Sequence, residues 1–309
     1  MSLLRNTCHE EFLSIIKPII SSDRLLVDEP LSKHTTFCIG GPADYLIQPR
    51  STDEVAVVLR AAKQSGIALT ILGNGSNVLV LDKGIRGVVI KFDEHMSYIR
   101  HDKQTIMAGA GAVLADVAKY ACEIEMTGLE FAIGIPGSIG GAVYMNAGAY
   151  EGELSSVVAA VTAVCPNGTI VRFLKNDIQF GYRHSVFQEN GCVICEIEVD
   201  LCQGNKDDIQ RKMTDLTIKR EHKQPLEMPS AGSTFKRPPG HFAGTLIEQA
   251  GLKGLQIGGA QVSTKHAGFI VNAGGATACD VLALIKEVQR QVYDKFGVHL
   301  HPEVRIIGE

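Results

Sequence analysis

The chain has 309 residues and a formal net charge of −4, with 30 Lys and Arg against 34 Asp and Glu. That length buries a large core and divides into two or three domains, and the mild acidity argues against nucleic acid as a partner. No apolar run approaches a membrane span, and Glu10 and Glu11 interrupt the N-terminal segment before a signal-like core forms, so a cytoplasmic location is expected.

Residues 1–32 hold one amphipathic helix candidate, Glu10 to Ile20, followed by a polar connection. The fold proper begins near His34-Thr35-Thr36-Phe37. A βαβ-like unit follows. Tyr45 to Ile47 reads as a strand, and Ser51-Thr52-Asp53-Glu54 starts a helix with capping residues. Val55, Val58, Leu59 and Ala62 give that helix its apolar spacing, Gly66 ends it, and Leu69 to Leu72 is the next strand. The strand runs into Gly73-Asn74-Gly75-Ser76-Asn77, a small-residue loop suited to wrapping phosphates in backbone N–H groups; a plain turn is the competing reading.

Residues 87–92 and 98–108 read as strands, the second a hairpin around His101-Asp102-Lys103. Val113 to Glu123 reads as a helix after Gly109-Ala110-Gly111. That G-A-G lacks the third glycine and the strand–helix–strand setting of a dinucleotide fingerprint, so a Rossmann reading fails. No G-K-[ST] is present, which excludes a P-loop.

The densest signal is Phe131 to Glu153, with Gly134, Gly137, Gly140, Gly141 and Gly148 among small residues. Pro136 suits a first helical turn. The expected structure is a glycine-rich loop opening a short helix whose free N–H groups face an anion. Further strands are expected at Val157–Val164, Thr169–Phe173 and Val193–Leu201, the first two joined by the Pro166-Asn167-Gly168 turn.

Lys206 to His222 reads as a charged helix. Pro229 to Gly240 reads as a polar, basic loop, and Thr245 to Ala250 as a short helix. Leu255–Val262 and Phe269–Asn272 read as strands, Cys279–Phe296 as a helix, and Val304–Ile307 as a closing strand. Eight cysteines lie scattered, most simply as reduced thiols. Cys192 and Cys195 form a C-x-x-C on a strand, where alternation points them apart, and no second pair or His spacing suggests a metal.

The segments G-N-G-S-N-V-L (73–79), G-I-P-G-S-I-G-G-A-V-Y-M-N-A-G-A-Y (134–150), Y-R-H-S-V-F (182–187), A-G-S-T-F-K-R-P (231–238), L-K-G-L-Q-I-G-G-A (252–260) and H-P-E-V-R-I-I-G (301–308) occur in this order. Together they resemble the UDP-N-acetylenolpyruvoylglucosamine reductase family. The resemblance implies an α+β chain: a two-subdomain FAD-binding fold of the p-cresol methylhydroxylase type, plus a C-terminal α+β substrate-binding domain. The implied division is residues 1–32 as N-terminal helix and connection, 33–205 as FAD-binding domain (subdomains about 33–93 and 94–205), and 206–309 as substrate-binding domain. It also implies a peptidoglycan-precursor enzyme that passes hydride from NADPH to FAD, and then to the enolpyruvyl group of UDP-N-acetylglucosamine enolpyruvate.

The resemblance assigns FAD contacts to Gly73, Asn74, Gly75, Ser76, Asn77 and Leu79, and to Gly109 and Ala110. It adds Pro136, Gly137, Ser138, Gly140, Gly141, Ala142, Asn146 and Gly148, with Arg220 reaching the FAD phosphates. No His or Cys lies in 73–79, so the flavin is expected to be non-covalent. Only about ten residues separate Arg183 from the Val193 strand, so the chain resembles the shorter class that lacks a tyrosine-bearing cover loop. A monomer without metal, membrane or nucleic-acid partners is expected.

Three residues carry the implied chemistry. Hydride addition leaves negative charge beside a carboxylate, and Arg183 has a planar fork suited to it. Ser233 would deliver a proton to the adjacent carbon, where position matters more than bulk acidity. Glu303 helps either by pairing with Arg183 or by remaining protonated as a donor. Tyr182, Lys223, Arg237 and Lys253 are the expected substrate contacts, Lys236 being a further cation of the same basic set. Each of these has an ordinary reading as a solvated charge or turn residue. An oxygen-using flavin oxidase and a non-catalytic nucleotide-binding module are the rival readings; oxygen uptake without NADPH would mark the first, and colourless protein the second.

Overall fold

The computed structural model describes residues 2–150 and 152–309. The chain forms two compact units. One comprises residues 1–27, 44–74 and 87–218; the other comprises 28–43, 75–86 and 219–309. Of the boundaries expected at 32/33, 93/94 and 205/206, the last lies near the final change of unit at 218/219. Two early segments join the C-terminal unit, because strand Val78–Val80 finds its parallel partner in Arg305–Ile307.

The first unit holds a five-stranded antiparallel sheet. Its order is Ile170–Leu174, Val158–Val164, Val193–Asp200, Thr105–Gly109, Ile99–Asp102. Helix Thr52–Ser65 has the expected caps. Ser51 Oγ accepts from Glu54 N at 3.2 Å, and Gly66 closes the helix with φ 65°. Its apolar face (Val55, Val58, Leu59, Ala62) is buried in a core shared with Ile106, Val117, Val161 and Ile197. A four-stranded sheet runs Leu25–Pro30, Pro42–Ile47, Ile85–Lys91, Leu69–Leu72. Ile85–Lys91 therefore lies between the two strands of the expected βαβ-like unit, parallel to Leu69–Leu72.

The second unit is a four-stranded antiparallel sheet, Ser230–Ser233, Phe269–Asn272, Ala260–Val262, Gln256–Ile257, with helix Ala278–Phe296 sharing its core. That helix starts at a capping box between Thr277 and Asp280 and ends at Gly297. The Asp82 carboxylate accepts from Ala278 N at 2.7 Å and Cys279 N at 3.0 Å, satisfying two further N–H groups of its first turn.

Several expectations need correction. The first helix is Ser2–Ile16, not Glu10–Ile20. Pro18 lacks an N–H and disfavours helical backbone at Lys17, so the helix stops before it. The polar connection contains the strand Leu25–Pro30, and the polar basic loop contains the strand Ser230–Ser233. Leu255–Val262 is a hairpin rather than one strand, turning at Gly258, whose φ is 52°. No helix among the described residues is long and apolar enough to cross a membrane.

Candidate active site

Each unit contributes one cluster of the expected site residues. In the first, the glycine-rich segment meets the two other small-residue turns. A side chain on Gly73 would put its Cβ 2.5 Å from Ser138 Oγ, and one on Gly140 would meet Ala110 Cβ at 2.8 Å. These glycines are there because loops abut. Gly141 is exposed, and an added Cβ there would meet only Ser138 Oγ, at an ordinary contact distance of 3.5 Å.

The helix expected after Pro136 exists as Ile139–Tyr144, but its N-terminus is not an anion site. Ile139 N donates to Ala112 O at 2.8 Å, Gly140 N to Ala110 O at 3.1 Å, and Gly141 N to Ser138 Oγ at 3.4 Å. The protein's own oxygens take the N–H groups that a phosphate would need. Ser138 is a buried N-cap, and Gly137 has φ 133°, a conformation that favours glycine.

Asn146 is buried, and both ends of its amide are hydrogen-bonded within the protein. Nδ2 donates to Gly181 O at 3.0 Å, and Oδ1 accepts from Ser155 N at 2.9 Å. Its side chain braces the turn that carries Arg183. Gly148 pairs with Glu153 in a two-residue ladder. Asn146→Ala should lower stability by about 1–3 kcal/mol, the cost of leaving buried partners unsatisfied. Urea unfolding measures this, and an unchanged midpoint would show the brace to be dispensable.

Tyr182 and Arg183 occupy the tip of a tight turn. Gly181 N donates to His184 O at 3.0 Å, and His184 N to Gly181 O at 3.2 Å. Arg183 takes φ 55°, a left-handed backbone more usual for glycine, and its guanidinium lies 5.4 Å from the Tyr182 ring centroid. The turn is anchored from outside. Ser185 Oγ and Gln188 Nε2 both donate to Tyr144 O, at 2.8 and 2.9 Å, and Gln188 Nε2 also donates to Arg183 O at 3.0 Å. The helix of the glycine-rich segment thus sets the Arg183 turn. Residues 184–192 contain one short turn of helix, Val186–Gln188, before the strand at Val193.

In the second unit, three distant stretches of sequence converge. Ser233 ends its strand opposite Phe269 and is exposed. A register shift between Ser230 and Ser233, with Gly232 at φ 75°, turns the strand there. Glu303 N donates to Thr234 O at 2.8 Å, and Lys236 N to His301 O at 2.8 Å, so the Glu303 segment runs along the residues just after Ser233. Arg305 N donates to Asn77 O at 3.0 Å. Ser233, Glu303 and Asn77 are therefore brought together by backbone pairing. Gly75 has φ 62°, and a Cβ there would meet His34 O at 2.5 Å.

Leu79 corrects the expected set: it is fully buried, packed in the core of the second unit and paired with Ile306. Lys253 is tied to Glu248 at 2.6 Å. The Arg237 guanidinium lies 4.0 Å from the centre of the Phe242 ring, and Phe242 is exposed. Arg220 and Lys223 occupy the last turn of helix Lys206–Lys223.

Two residues escaped the sequence reading. Thr36 ties a strand to a loop: its Oγ1 donates to Ser230 O at 2.7 Å, and its own N donates to Gly75 O at 3.3 Å. His266 is held neutral chiefly by burial, with nearby Lys253 and Lys223 also pushing its pKa down. Its Nδ1 accepts from Gly268 N at 3.0 Å. A His beside Lys in S-T-K-H-A-G-F was the available signal. Among the described residues, no group of three His, Cys, Asp or Glu is placed to hold a metal ion.

The comparisons agree with this division of labour. Residues 43–174 match an FAD binding domain, and residues 224–307 match the UDP-N-acetylenolpyruvoylglucosamine reductase, C-terminal domain. The chain is 49% identical over 298 residues to the reductase of that name from Clostridium perfringens, covering 96% of this chain and 98% of the relative. It is 48% identical over 301 residues to the one from Clostridium botulinum, covering 97% and 98%. The crystal structure of the Thermus caldophilus reductase is similar at TM-score 0.78 and 34% identity, over 92% of this chain and 98% of that one. With its FAD-binding domain, its C-terminal reductase domain and nearly half its residues shared along the full length of these relatives, the chain belongs to the UDP-N-acetylenolpyruvoylglucosamine reductase family of oxidoreductases.

Proposed function

We propose that this chain reduces the enolpyruvyl group of UDP-N-acetylglucosamine enolpyruvate to give UDP-N-acetylmuramate for peptidoglycan, with NADPH as reductant and FAD held non-covalently. The observation that carries the residue assignment is the backbone clamp of the second unit, in which Glu303 N is bonded to Thr234 O, next to Ser233. The clamp brings the Glu303 backbone beside that of Thr234, which supports reading the Ser233 hydroxyl and the Glu303 carboxylate as parts of one site.

The residues present fit the cofactor. The small-residue turns at Gly73-Asn74, Gly109-Ala110 and Pro136-Gly137-Ser138 abut one another, and exposed Gly141 leaves the surface beside Ser138 open where a Cβ would fill it. These residues would hold FAD. When bound, FAD supplies the hydride chemistry.

The chain's own groups do the rest. Arg183 binds a carboxylate through its fork and stabilises the charge that develops beside it. Ser233 hands its hydroxyl proton to the carbon next to that carboxylate. Glu303, fixed by its own backbone, positions or recharges the serine, or donates a hydrogen bond itself. Lys223 and Arg237 supply positive charge for the pyrophosphate, with Tyr182 as a further substrate contact. Lys253 does so only if it leaves Glu248.

Two measurements test this reading. NADPH oxidation should depend on the enolpyruvyl sugar nucleotide; oxygen uptake from an alcohol without NADPH would overturn it. The purified protein should be yellow, and acid precipitation should leave the colour in the supernatant. Colour that stays with the denatured chain would contradict a non-covalent flavin.

A further inference from the structure

The C-x-x-C noted in the sequence is split by the structure. A register shift between Thr162 and Ala163 puts a bulge at Cys195, and that residue is fully buried, its Sγ 3.5 Å from Val193 O. Cys192 instead faces Cys165, Sγ to Sγ at 2.7 Å. The pairing has a simple origin. Val164 opposes Val193 as the last register pair of an antiparallel ladder, so Cys165 and Cys192 fall opposite each other one step beyond it. Cys165 N bonds to Thr169 O and Cys192 N to Asn190 Oδ1, so neither backbone N–H crosses between the two. Opposed residues without such bonds have Cα atoms about 4.5 Å apart, inside the range a disulfide spans.

We propose that Cys165 and Cys192 are a dithiol site that a peroxide closes into a disulfide. Cys165 is the more accessible of the two, being partly exposed where Cys192 is buried. Burial, and then the contact with Cys165, push the Cys192 thiol up to about 12, so it stays protonated until it reacts. The Cys165 sulfur attacks one peroxide oxygen, the O–O bond breaks, and one water leaves a sulfenic acid behind. The Cys192 sulfur then attacks the Cys165 sulfur; its S–H proton joins the departing hydroxyl as the second water. Two thiols lose two electrons and two protons, and the peroxide is reduced to two waters.

The bond would close a loop between positions 27 residues apart. That loop contains strand Ile170–Leu174 and the Tyr182–Arg183 turn. Closing it removes conformational freedom from the unfolded chain, so the oxidised protein should be harder to unfold.

The test uses the purified holoprotein. It is treated with hydrogen peroxide, quenched, alkylated without reductant and mapped by mass spectrometry. The expected product is a peptide linking Cys165 to Cys192, with a loss of about 2 Da per chain that dithiothreitol reverses. Cys195→Ser should keep the link, while Cys165→Ser and Cys192→Ser should each lose it. Circular dichroism checks the fold of each variant, and the wild-type map decides the matter even if one variant fails to fold. Both thiols still alkylated after peroxide, a Cys192–Cys195 link, or isolated sulfinic acids without the cross-link would each overturn the proposal.

Discussion

Ser233→Ala should separate the two halves of the catalytic cycle. Reduction of the bound flavin by NADPH needs no proton from Ser233, so its rate should hardly change. Reoxidation by the enolpyruvyl substrate does need one, and should slow by about 10²–10⁴-fold, the usual cost of losing a positioned acid. The fold should survive. Ser233 is exposed at a strand end, and its backbone is fixed by pairing with Phe269 and by the neighbouring Thr234, whose carbonyl accepts from Glu303 and from no atom of the serine side chain. Ser233→Cys should keep more activity than Ala because a thiol still donates a proton. Rapid-mixing absorbance at the flavin band follows each half separately. If Ala slows reduction by NADPH and spares reoxidation, Ser233 is not the donor.

The same residues show how far the sequence could be read. Elements with strong periodicity and caps were legible almost to the residue, as in Thr52–Ser65 with Ser51 and Gly66, or Ala278–Phe296 with its capping box. Strands that exist only because of a distant partner were not. Val78–Val80 is a strand because Arg305–Ile307 lies beside it, and Ser230–Ser233 has the composition of a loop until Phe269–Asn272 pairs with it. Local propensity says little in such places. The glycines were visible, but their reason was not. Gly73 and Gly140 are small because Ser138 and Ala110 press against them, and the helix N–H groups expected to face an anion bond to Ala110, Ala112 and Ser138. Spacing alone does not tell close packing of a loop from close approach of a ligand. Leu79 fell into the wrong class for a related reason: its motif lies in the small-residue loop, but its side chain lies in the core.

Arg183→Gly should leave the fold intact and remove the activity. Arg183 has φ 55° at the second central position of a turn closed by Gly181 and His184. An L-residue there costs about 1–2 kcal/mol, which glycine does not incur. Against this stand the greater freedom of glycine in the unfolded chain, about 0.5–1 kcal/mol, and the lost Tyr182 stacking, about 0.5–1 kcal/mol at an exposed ring. These nearly cancel, so the urea midpoint should stay close to that of the parent. The turn itself is held from outside by Asn146, Ser185 and Gln188, through bonds to its backbone and to Tyr144 O. Turnover is another matter. If the guanidinium stabilises charge developing beside the substrate carboxylate, its loss should cost about 10²–10³-fold, as for other donors aimed at such charge. Arg183→Lys then isolates the fork, since it keeps the charge and the backbone strain but loses the paired donors. It should fall well below the parent in turnover with its FAD content unchanged. Near-normal turnover in either variant would remove Arg183 from the chemistry. A large drop in the urea midpoint of the glycine variant would instead make Arg183 a structural residue, with the left-handed backbone sustained by contacts of its own side chain.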